Sequence, residues 1–125
     1  MTTAHAMLER ADVIGGPTYK ITIETPERAH RAYVTINDQD GRPFEIFIRT
    51  DNPQLYEWVN ALTILVTRLL RLGVPLDEIA AEMQAIHSGA TSMHFLPGGE
   101  RCISMVARIG TVLARHAASA EGKTT

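Results

Sequence analysis

Five histidines, one cysteine and ten arginines carry most of the chemistry this chain can offer. His87, His94, Cys102 and His116 are ligand types that zinc accepts, but their spacings match no zinc signature, so no metal and no other cofactor is expected. Cys102 with His94 would make a nucleophile and a base, yet nothing in the sequence supplies the third group that orients such a pair. The ordinary reading is a surface histidine at a helix end, a loop histidine, a buried thiol, and at His116 a helix-terminal histidine favourable to the dipole. Asp38 and Asp40, with Glu45 nearby, offer oxygen ligands to a divalent cation, although aspartates are also preferred turn formers and the further ligands of a calcium loop are missing. There is no nucleophile elbow, HExxH helix, phosphate loop or GxGxxG, and no catalytic residue is assigned.

The arginines are more informative. Arg outnumbers Lys ten to two, and Arg101 to His116 holds three arginines and no acid. Arg101, Arg108 and Arg115 are seven residues apart and would share one face of a helix, with Ser104 and Thr111 in the same stripe. Guanidinium forks and hydroxyls on one face suit phosphate or carboxylate groups. Gly98-Gly99 lies just ahead, and a glycine loop leading into a helix can cradle an anion. Arg42, in the turn, is a further anion contact. Gly73 to Glu100 contains Asp77, Glu78, Glu82 and Glu100 and no Lys or Arg, so the two stretches can instead neutralise each other as solvated faces.

The elements that must position these residues fall into two halves. Tyr19, Ile21 and Ile23 alternate with Lys20, Thr22 and Glu24, Val34 and Ile36 with Tyr33, Thr35 and Asn37, and Phe44, Ile46 and Ile48 with Glu45, Phe47 and Arg49. A two-residue period is that of a half-buried strand. The turn signal Asp38 to Pro43 and the short connections predict a three-stranded antiparallel meander. In the second half, Leu55, Trp58, Leu62, Leu65, Leu69 and Leu72 recur at gaps of 3, 4, 3, 4 and 3, widened by Val59 and Val66. That is a long amphipathic helix, begun near Asp51, Asn52 and Pro53 and ended by Gly73 and Pro75. A shorter helix turns Leu76, Ile79, Met83 and Ile86 inward, and a last helix capped by Ser104 presents Val106, Ile109, Leu113 and Ala117. The expectation is an α+β domain: the sheet covered by one long helix and two shorter ones. The long helix has more apolar surface than one thin sheet can cover, so self-association is expected.

At 125 residues the chain is one domain, read as a flexible N-terminal segment 1–17, an ordered body 18–116 and a flexible C-terminal tail 117–125. Hydrophobic residues at 45% and charged residues at 21% exclude wholesale disorder, and a net charge of −2 excludes a wholly basic nucleic-acid coat. One cysteine excludes an internal disulfide and suits a reducing compartment. No apolar block has signal-peptide or membrane-span length, so a cytoplasmic protein with no membrane partner is expected.

The block from Tyr33 to Ile48, with its Gly41-Arg42-Pro43-Phe44-Glu45 turn, together with Gly73-Val74-Pro75-Leu76-Asp77-Glu78-Ile79 after a long apolar helix, resembles the TSCPD domain. That domain is the C-terminal module of many adenosylcobalamin-dependent (class II) ribonucleotide reductases and also occurs as a small separate protein. The resemblance spans about residues 18 to 116. It departs at the motif that gives the family its name: Ser104 can match the serine, but Val106 and Ala107 stand where Pro and Asp are expected. The resemblance implies a non-catalytic accessory module of nucleotide metabolism, whose partner is a reductase, a nucleotide or a nucleic acid. A regulatory mimic of the module is one alternative, and a small metal-dependent or hydrolytic enzyme another.

Overall fold

The computed structural model describes residues 7–24, 29–86, 94–95, 101–102 and 104–122. Strands β1 (Thr18–Glu24), β2 (Ala29–Gln39) and β3 (Arg42–Thr50) form one antiparallel sheet in the order β1-β2-β3. The predicted meander is present. Its second hairpin is tight: Gln39 pairs with Arg42, and Asp40 and Gly41 between them take φ of 54° and 75°. Two successive positive φ values match the right-handed twist of the flanking strands, which is why Asp-Gly is favoured there.

One face of the sheet is apolar. Ile21, Val34, Ile36, Ile46 and Ile48 are buried and join a single core with the helices. The register shifts between Asn37 and Asp38. The extra residue, Phe44, is on β3, and Asp38 follows Val34 and Ile36 at the two-residue period onto the apolar face, where its carboxylate accepts from His116.

Helix α1 (Tyr56–Arg71) follows a single 3-10 turn at Pro53–Leu55, whose N-cap Asn52 accepts from the Gln54 N–H at 3.0 Å. Its C-terminus closes on Gly73, at φ 91°, with Gly73 N–H bonded to Leu70 O and Val74 N–H to Leu69 O. Those two bonds are a Schellman motif, and glycine takes the left-handed position at no steric cost.

The rotation of α1 about its axis differs from the one the apolar spacing predicts. The core takes Val59, Val66 and Leu70, while Trp58, Leu65, Leu69 and Leu72 stay exposed. The cause lies in β3, the edge strand. Ile48 N–H donates to Thr63 Oγ1, and Ile46 exchanges two hydrogen bonds with Thr67. The outward backbone groups of an edge strand need partners, and turning both threonines toward β3 swings the leucine stripe sideways.

Helices α2 (Leu76–Gln84) and α3 (Met105–Gly122) pack against each other. Gly110 marks their closest approach: a Cβ there would lie 2.9 Å from both Gln84 N and Met83 Cβ. Leu76, Ile79 and Met83 are buried as expected, but Ile86 is exposed. The last helix runs beyond His116 to Gly122, through alanines at 117, 118 and 120 that favour helix. Strands β4 (His94–Phe95) and β5 (Arg101–Cys102) form a separate two-stranded pair. Residues 8–17, within the segment read as flexible, are hydrogen-bonded to the body: Leu8 N–H to Arg71 O, Asp38 N–H to Gly15 O and Ile36 N–H to Pro17 O.

Candidate functional site

The basic stripe is not carried by one helix. Arg101 lies in β5, ahead of the Ser104 cap, so only Arg108 and Arg115 share the face of α3. Arg108 is half-buried and Arg115 exposed, and both already interact with neighbouring groups. Ser104 is buried, accepts from Ala107 N–H at 2.9 Å and donates to Ile86 O. Thr111 Oγ1 donates to Ala107 O and accepts from Gln84 Nε2. Both hydroxyls thus hold α3 to its own start or to α2. Arg42 is exposed in the hairpin, beside a hollow that Gln39 and Pro75 also line.

His94 and Cys102 face each other in register across β4 and β5, and their side chains, like all of His87, lie outside the described residues. Among the described residues, no three of His, Cys, Asp or Glu gather as a metal site. The Asp38, Asp40 and Glu45 trio is dispersed. Asp40 sits at the turn, Asp38 turns to His116, and Glu45 points to the other face of the sheet.

Two buried polar clusters were not legible in the sequence. His116, 6% exposed, lies between Asp38 Oδ1 at 3.2 Å from its Nε2 and Tyr19 Oη at 2.7 Å from its Nδ1. A carboxylate that accepts from Nε2–H leaves Nδ1 free to accept from the phenol. Burial raises the Tyr19 phenol above its ordinary pKa, helped by the charge of Asp38. This chain of bonds ties β1, the end of β2 and α3 together.

Glu45 is 2% exposed on the outer face. Arg10 Nε and Nη2 donate to it at 3.0 Å, Asn37 Nδ2 donates at 3.0 Å, and Arg71 Nη2 lies at 3.5 Å while its guanidinium stacks over Phe44. Burial alone would push this carboxyl up. The hydrogen bonds from Arg10 and Asn37 and the two guanidinium charges outweigh that and hold it below the usual carboxylate range. The cluster pins residues 8–12 to the sheet, with Gln39 accepting from Ala11 N–H and donating to Glu9 O.

An exposed apolar surface runs along α1. Trp58 is 69% exposed and Leu65 60%, against a few per cent for Val59 and Val66 on the neighbouring face. Two hollows flank this stripe. One, of about 340 Å³, is walled by Trp58 and Leu62 on one side and Met105, Val106 and Ile109 on the other. The second, of about 360 Å³, lies between Leu65 and Leu69 of α1 and Ile79 and Met83 of α2, with Glu78 and Glu82 at its rim. The stripe is thus an exposed apolar strip rimmed by charge. Tyr56 and Trp58, at the start of α1, are both exposed. Among the described residues, no helix is long and apolar enough to cross a membrane.

Comparison with curated proteins and with solved structures gives no match. Comparison with protein families matches residues 9–117 to the TSCPD domain, most of the chain, and the chain belongs to that family.

Proposed function

We propose that this TSCPD-family chain is a non-catalytic binding module that engages another protein through the apolar stripe of α1. The observation that carries the reading is the rotation of α1, which sets Trp58, Leu65 and Leu69 in solvent beside two apolar hollows while Val59, Val66 and Leu70 face the core. Large aromatic and aliphatic side chains held on a rigid helix are typical anchors of protein interfaces. The basic groups Arg108 and Arg115 add anionic contacts at most at a margin, since Ser104 and Thr111 bond within the chain.

The resemblance to the C-terminal module of class II ribonucleotide reductases makes such a reductase the partner to try, as an accessory or as a competitor of its own module. Titrating a purified class II reductase into the chain, with Trp58 emission as the readout, tests the reading. A blue shift that Leu65→Glu abolishes supports docking at α1. A reductase that binds with no change at Trp58, and whose binding Arg108→Glu with Arg115→Glu abolishes, moves the interface to the last helix.

A further inference from the structure

We infer that the occupant of the α1 stripe is a second copy of the chain, its α1 packed antiparallel across a two-fold axis. This rests on the reading of that stripe as a protein-docking surface, and two independent features select a second copy.

The first is the spacing. Leu55, Trp58, Leu62, Leu65, Leu69 and Leu72 stand at gaps of 3, 4, 3, 4 and 3, a series that reads the same in both directions. Its centre falls between Thr63 and Ile64, which is also the centre of α1 (Tyr56–Arg71). A symmetric dimer requires one patch to complement itself. A two-fold axis at this centre sets Leu62 against the partner's Leu65 and Trp58 against the partner's Leu69. Alternating gaps of three and four are also the spacing at which two helices interdigitate as knobs into holes.

The second is charge. Glu57 lies in the first turn of α1, and Arg68 and Arg71 in the last. Among the described residues, neither Glu57 nor Arg68 makes an ion pair. Antiparallel packing brings Glu57 to Arg68 of the partner subunit, twice by symmetry, and opposes the two helix dipoles. Parallel packing would set like charges side by side. A partner of arbitrary sequence would have no reason to match this distribution, whereas a second copy matches it by construction.

The experiment is sedimentation of the full chain over a concentration series with Trp58, its only tryptophan, as an internal probe. The expected result is a mass rising toward twice 13.8 kDa as Trp58 emission moves to the blue. Leu65→Glu, at a position exposed in the single chain, should keep the helical circular dichroism and weaken the dimer by about a hundredfold or more. Glu57→Arg and Arg68→Glu should each weaken it, and together restore it.

A dimer indifferent to Leu65→Glu overturns the inference. So does a monomer in which Trp58 is already shielded, because the chain's own residues then cover the stripe. A monomer whose Trp58 responds to added class II reductase overturns the second copy but leaves the docking surface. A monomer whose Trp58 responds to neither overturns both.

Discussion

Thr67 and Ile46 form a closed two-bond pair: the threonine hydroxyl accepts from the Ile46 N–H at 3.0 Å and donates to its C=O at 3.1 Å. One side chain of α1 therefore does for β3 what a fourth strand would do, and Thr63 repeats half of it at Ile48. The sheet has only three strands, and this is how its β3 edge is closed.

Thr67→Val keeps the shape and removes both bonds, leaving a buried donor and acceptor without partners. It should cost about 1–3 kcal/mol in urea unfolding, and Thr63→Val less, since one bond is lost there. With both replaced, β3 becomes an open edge, and concentration-dependent aggregation on heating should follow. Equal stability of Thr67→Val and the native chain would remove this account of the orientation of α1.

Glu45 predicts a pH dependence. Its carboxyl pKa is held below its unfolded value of about 4.3. A group depressed on folding contributes stability above its unfolded pKa and loses it as pH falls through the folded one. Urea midpoints of the native chain should therefore fall more steeply below about pH 4.5 than those of Glu45→Gln. At neutral pH the variant should be less stable by about 1–3 kcal/mol, the cost of leaving charged donors poorly matched. Parallel curves for the two proteins would contradict the assignment.

Ser104 caps α3 and donates to the last residues of the α2 segment in a single contact. Ser104→Ala should lower stability by about 1–2 kcal/mol, and Ser104→Thr, which can cap and donate, should recover most of it. Thermal unfolding followed at 222 nm measures both. Undiminished stability of the alanine variant would return Ser104 to the set of free polar groups on the basic helix.

What the sequence disclosed was what depends on neighbours. The two-residue period located the three strands, Asp40-Gly41 their turn, and Gly73 the end of α1. The rotation of α1 was hidden because Thr63 and Thr67 read as interruptions of an apolar stripe, when they are the groups the edge strand requires. The arginine period failed at Arg101 for a local reason that was legible: a helix capped by Ser104 cannot include a residue three positions earlier. Gly110 in the middle of a helix was a readable sign of close packing. Glu45 and His116 were illegible for another reason, since their partners Arg10 and Tyr19 lie 35 and 97 residues away and no local pattern announces such pairs.

That separation of 97 residues also sets an order of events during folding. The meander pairs strands close in sequence, and α1 packs beside the strand it follows, so both need only short loops to close. The bond between Tyr19 and His116 must wait, because it closes nearly the whole chain into one loop and pays that entropy before any return. Chain growth from the ribosome makes the order stricter still. Until α3 has emerged, β1 lacks its contact to that helix, and the core lacks Ile109 and Leu113.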